Sequence, residues 1–123
     1  MTTINVKRIY DRWEITDGLR ILVDRLWPRG VRHSTANIDI WMKNVAPTNE
    51  LRKWYSHDVE KWGEFRERYK KELKDNGAFE KLVKLAVATD TVTLIYASKD
   101  DSHNNAVVLK GVLEKRLAKG GNA

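Results

Sequence analysis

Asp24, Arg25, Trp27, Arg29 and Gly30 fall within the stretch VDRLWPRG, and Ser98, Lys99, Asp100, His103 and Asn104 within SKDDSHN. These residue types suit the gripping of an anion. Arg25 and Arg29 carry planar guanidinium forks that hold a phosphate or carboxylate at two points. Lys99 would add charge, and Ser98 and Asn104 would add hydrogen bonds. Pro28 fixes its own φ and keeps Trp27 extended, while Gly30 permits a sharp turn or a close approach to a ligand. Such a frame lowers the entropic cost of holding two arginines in place. For proton transfer, the candidates are Asp24 and His103, the latter beside two acids. Each assignment has a structural counterpart. Asp24 pairing with Arg25, Arg29 or Lys99 would make an ion network at the sheet edge, Trp27 is a core plug or a stacking wall, and His103 is a cap or hydrogen-bonding residue. His33, His57 and His103 are scattered, and with no cysteine in the chain no metal-binding pattern emerges. There is no Gly-rich phosphate loop, dinucleotide fingerprint or nucleophile elbow, so no cofactor is indicated.

Two strands must position these clusters. Leu19 to Asp24 is nearly continuous in apolar residues, and Thr91 to Ala97 is β-branched and apolar, so both read as central strands covered on both faces. As parallel neighbours they would deliver both clusters to one rim, where open α/β sheets bind ligands. Asp101 or Ser102 would cap the last helix, whose N-terminus favours anions. That helix carries Ala106, Leu109, Leu113 and Leu117. Ile4 to Tyr10 reads as an edge strand, Thr16 to Gly18 as a turn, and Asp39 to Pro47 as a short extended segment after a helical turn capped by Ser34 or Thr35.

Between the two central strands the period changes to three and four. Thr48 caps a helix with Leu51, Trp54 and Tyr55 on one face. Asp58 caps a second with the stripe Val59, Trp62, Phe65, Tyr69 and Leu73, opposite the ion pairs Glu64–Arg68 and Glu67–Lys71. Asp75 to Gly77 ends it, and Phe79, Leu82, Val83 and Ala86 define a third. The expectation is an α/β protein: a single compact domain over residues 1–119, with a small, mainly parallel sheet flanked by helices, and a tail at 120–123 that frays.

The chain has 123 residues and a formal net charge of +6. Its length suits one domain with one core. The absence of cysteine, of a signal pattern and of any spanning apolar run suggests a cytoplasmic protein with no membrane partner. The charge favours an anionic partner: a small phosphate-bearing, nucleotide-like ligand first, nucleic acid or an acidic protein segment as alternatives. No recognition-helix motif supports the nucleic-acid alternative. The oligomeric state and any reaction are left open.

The segments VDRLWPRG, WMKNVAPTNELRKWYSHD, FRERYKKEL and VTLIYASKDDSHNNAVVLKGVL, in that order, resemble the YeaO-like family, small microbial proteins grouped under domain of unknown function 488. Matching positions include Asp24 to Gly30, Pro47, Leu51, Arg52, Phe65, Arg66, Tyr69, Leu94, Tyr96 and Asn104. The resemblance implies a single compact α/β domain and carries no reaction with it. Some members of the broader grouping have an N-terminal cysteine, and this chain has none, which excludes a thiol role.

Overall fold

The computed structural model describes residues 1–120. These form a sheet of β1 (Thr3–Arg8), β2 (Leu19–Leu22), β3 (Ile40–Trp41) and β4 (Thr91–Tyr96), with helices α1 (Asn49–Tyr55), α2 (Trp62–Lys74), α3 (Gly77–Val87) and α4 (Asn105–Ala118). The strand order is β1-β4-β2-β3 and every pairing is parallel. The α/β expectation holds, with β4 and β2 central and β1 at an edge. The frayed tail expected at 120–123 lies, beyond Gly120, outside the described residues.

Strand alternation sorts the side chains into two unlike layers. Ile4, Ile21, Val23, Val92, Leu94 and Tyr96 enter a large core shared with all four helices. The opposite face is covered mainly by chain without α-helix. Leu22 and Ile95 pack there with Ile9 and Ala36, under Trp27, Val31, Ile38 and Trp41. The helices therefore flank one face, and the segment after β2 lids the other.

A buried ion cluster fastens that lid. The Arg20 guanidinium donates to Asp17 at 2.6 Å, to the Asn37 carbonyl at 2.8 Å and to the Ala36 carbonyl at 3.4 Å. Lys7 reaches the same Asp17 at 3.0 Å. Asp17 is held below the ordinary carboxylate range: burial, the largest influence, pushes it up, but Lys7, the Glu14 amide and Arg20 together outweigh it. Next to Asp17, Gly18 adopts φ +65°, and a Cβ there would collide with the Thr91 carbonyl at the start of β4.

Several local expectations are corrected. The cap of α4 is Asn104, whose side chain accepts the Val107 N–H at 3.0 Å, in place of Asp101 or Ser102. Those two residues lie in a preceding turn, where Asp100 accepts the amides of Ser102 and His103. Ser34 and Thr35 sit inside the 3-10 turn His33–Thr35, with Arg32 at its cap position. Val59 falls in a 3-10 turn before α2 and is exposed, leaving Phe65, Tyr69 and Leu73 as the buried stripe. Glu64 pairs with Arg68 as expected, but Glu67 pairs with Lys70. Gly77 opens α3, and Asn76 caps it by accepting the Phe79 N–H.

Candidate functional site

β2 and β4 are neighbours whose exits diverge. After Ala97 the chain turns into α4, which packs on the helical face, while the chain leaving β2 crosses to the other. Such a divergence opens a crevice beyond the carboxyl ends of the strands. There lies a cleft of about 660 Å³, bounded by the stretch from Asp24 to Arg29, by Ala46 and Pro47, by the end of α1 and by Ala97, Ser98 and His103 to Asn105. Both sequence clusters thus meet on one rim. Asp24, Arg25, Trp27, Arg29, Ser98, His103 and Asn104 all line it; Gly30 and Lys99 do not. Gly30 serves the turn through its φ of +78°, with nothing close to a Cβ, and Lys99 is exposed in the loop after β4.

Asp24 is the joint of the crevice. Its Oδ2 accepts the Ala97 N–H at 2.9 Å, its own carbonyl accepts the Trp41 indole N–H at 2.9 Å, and the Asn105 amide donates to the adjacent Val23 carbonyl at 2.9 Å. Burial holds the Asp24 carboxyl above the ordinary range, against the opposing pull of the Ala97 N–H, Asn105 and His57. Asp24 makes no ion pair with Arg25, Arg29 or Lys99 among the described residues. A buried ion cluster sits instead at the other end of β2, around Asp17.

The arginines divide their work. Arg25 is half-buried and donates from Nε to the Pro47 carbonyl at 3.0 Å and from Nη2 to the Ala46 carbonyl at 3.2 Å. It fastens the cleft wall while keeping donors to spare. Those carbonyls follow Val45, whose own carbonyl accepts the buried Tyr69 hydroxyl at 2.6 Å. The Arg29 side chain is exposed and has no partner among the described residues; its backbone carbonyl accepts the Tyr10 hydroxyl at 2.8 Å. Trp27 is a plug: its indole N–H donates to the Val31 carbonyl at 2.7 Å, and His33 stacks on its ring at 3.6 Å.

His103 is held by its neighbours. Its Nδ1 lies 3.0 Å from Asp100, its carbonyl accepts the Tyr55 hydroxyl at 3.0 Å, and its ring stands edge-on to Trp62 at 5.2 Å. The amide of Asn104, besides capping α4, donates to the Asp100 carbonyl at 2.9 Å. Ser98 accepts the Asp100 N–H at 3.2 Å, which leaves its hydroxyl hydrogen available.

The helical wall was missed by sequence reasoning. Arg52, Lys53, Ser56 and His57 line the cleft from the end of α1. Ser56 and His57 are consecutive non-glycine residues at φ 44° and 58°, the left-handed region that costs about 1–2 kcal/mol each. Helical periodicity marks buried faces, and Arg52 and Lys53 lie on the exposed one. The described residues hold no group of three or more His, Asp or Glu side chains placed for a metal ion.

Comparison with known proteins supports one lineage throughout. The family model described as the inactive DUF488-N3 subclade matches residues 3–123. The uncharacterized protein Rv3073c of Mycobacterium tuberculosis is 41% identical over 115 residues, covering 94% of this chain and 97% of its own length. The uncharacterized protein YeaO of Escherichia coli K12 is 41% identical over 106 residues, covering 86% and 92%. No solved structure matches.

Proposed function

The chain belongs to the inactive DUF488-N3 subclade, the YeaO-like proteins, and on that premise we propose that its rim cleft binds a small phosphate-bearing anion without turning it over. The observation that carries this reading is the charge of the lining. Arg25, Arg29, Arg52 and Lys53 come from the β2 exit and from α1 and converge on one concavity, against the single carboxyl of Asp24. Low-dielectric walls concentrate the field of such a cluster, and the N-terminus of α4 adds partial positive charge at Asn104 and Asn105. The volume suits a small organic ligand.

Binding is favoured over catalysis by what the proton-transfer candidates are doing. Asp24 joins the two strand ends and His103 is tethered to Asp100. The family description itself reads "inactive". The nucleic-acid alternative rests on net charge, and duplex binding asks for cations spread along a face, not gathered in a cleft.

The test is a heteronuclear NMR titration with inorganic phosphate and pyrophosphate at moderate salt. Saturable shifts confined to Arg25–Arg29, Arg52–His57 and Ala97–Asn105 support the reading. Diffuse, non-saturating shifts over the whole basic surface contradict it.

A further inference from the structure

Among the described residues the cleft's one carboxyl is paired with none of its four fixed cations. Arg25 spends donors on backbone carbonyls, Arg52 donates to Asn49, and the Arg29 and Lys53 side chains make no hydrogen bond among the described residues. Asp24 instead uses Oδ2 for the Ala97 N–H, with the Asn105 side-chain amide also drawn to the carboxyl, and no hydrogen bond of ordinary length reaches Oδ1. Asp24 lines the cleft and is half-buried there. Ala97 N–H fixes Asp24 next to Ser98, whose hydroxyl hydrogen is uncommitted. An acceptor and an uncommitted donor thus both line the cleft at the exits of the two strands, and neither is bonded to a cation.

A fully ionised phosphate monoester group has no hydrogen to give that acceptor and is repelled by it if it comes close. A ligand that places its phosphate on the cations and a hydroxyl on Asp24 satisfies both. From this arrangement we infer that the cleft selects a hydroxylated phosphate ester, of the sugar-phosphate or polyol-phosphate class, with Asp24 and Ser98 reading a hydroxyl group. This rests on the anion-binding reading and deepens it. An ammonium group would also suit a carboxyl, but the surplus of fixed positive charge in the cleft disfavours it. Asp24 is a specificity residue here and takes part in no bond-making step.

The probes are methyl phosphate, ribose 5-phosphate and O-phosphoethanolamine, titrated calorimetrically into the full chain at neutral pH. A hydrogen bond to a charged group corresponds to a gain of about tenfold or more in affinity. Ribose 5-phosphate should therefore bind about tenfold more tightly than methyl phosphate, and more tightly than O-phosphoethanolamine. Asp24→Asn, which replaces the acceptor by a donor, and Ser98→Ala should each shrink that margin. Equal affinity of wild-type protein for methyl and ribose phosphates overturns the inference and leaves the anion cleft standing. Preference for O-phosphoethanolamine overturns the hydroxyl assignment. Failure of all three probes to bind overturns the cleft reading as well. The wild-type comparison is decisive even if a variant does not fold.

Discussion

The carboxylate Oδ2 of Asp24 lies 2.9 Å from the backbone nitrogen of Ala97 and accepts its hydrogen, so one side chain ties the exit of β2 to the exit of β4. This tie decides where the two polar clusters meet. It also sets a pH signature. Burial keeps the Asp24 carboxyl above its ordinary range, so the folded state holds that proton more tightly than the unfolded chain. Its contribution to stability is present at low pH and is lost as pH rises from the unfolded carboxyl value of about 3.9 through the folded one. Urea unfolding of wild type and Asp24→Asn between pH 3 and 8 should show the difference moving in the variant's favour across that window. A difference that is flat with pH would contradict this account of Asp24.

Asp17 should behave in the opposite sense. Its carboxyl is held below the ordinary range, so its contribution is present above the unfolded value and is lost as pH falls through the folded one. Arg20→Ala removes its buried partner and leaves the Ala36 and Asn37 carbonyls without their donor. We expect a loss of about 3–5 kcal/mol in urea unfolding. Arg20→Met combined with Asp17→Asn should cost less than the separate losses added together. Additive losses would mean that the two side chains act independently.

Ser56 offers a stabilising substitution. It closes α1 in the left-handed region, where glycine carries no Cβ penalty. Ser56→Gly should raise the midpoint of urea unfolding by the equivalent of up to about 1 kcal/mol. A lower midpoint would show that the serine side chain does more for the fold than its backbone conformation costs.

The shared rim was legible in the sequence because apolar β-branched runs ending in polar clusters announce central strands and their exits. Asp24, Arg25, Arg29, Ser98 and His103 were found that way. Arg20 was hidden because it stands within an apolar run, and only the two-residue alternation places it on the lidded face with Thr93 and Leu22. Its partners, Asp17 and the carbonyls of Ala36 and Asn37, are matters of tertiary contact. The cap of α4 was misplaced by two or three residues because Asp100, Asp101, Ser102 and Asn104 are all competent caps. Asp100 takes the amides of the turn first, which moves the helix start to Asn105. Arg52 and Lys53 looked like any solvated helix face, since nothing local says that the rim lies opposite them.

Arg29 gives the most direct test of the central claim, because its side chain has no partner among the described residues and lines the cleft. Removing it should cost the fold little, as is usual for exposed side chains outside any network. The measurement is phosphate and pyrophosphate affinity, read by calorimetry beside thermal melting, for wild type, Arg29→Lys, Arg29→Ala and the double variant Arg29→Ala/Arg52→Ala. The account predicts near-native melting throughout and stepwise weaker anion binding, with Arg29→Lys intermediate because it keeps the charge and loses the fork. Unchanged anion affinity in the double variant at near-native melting would contradict it.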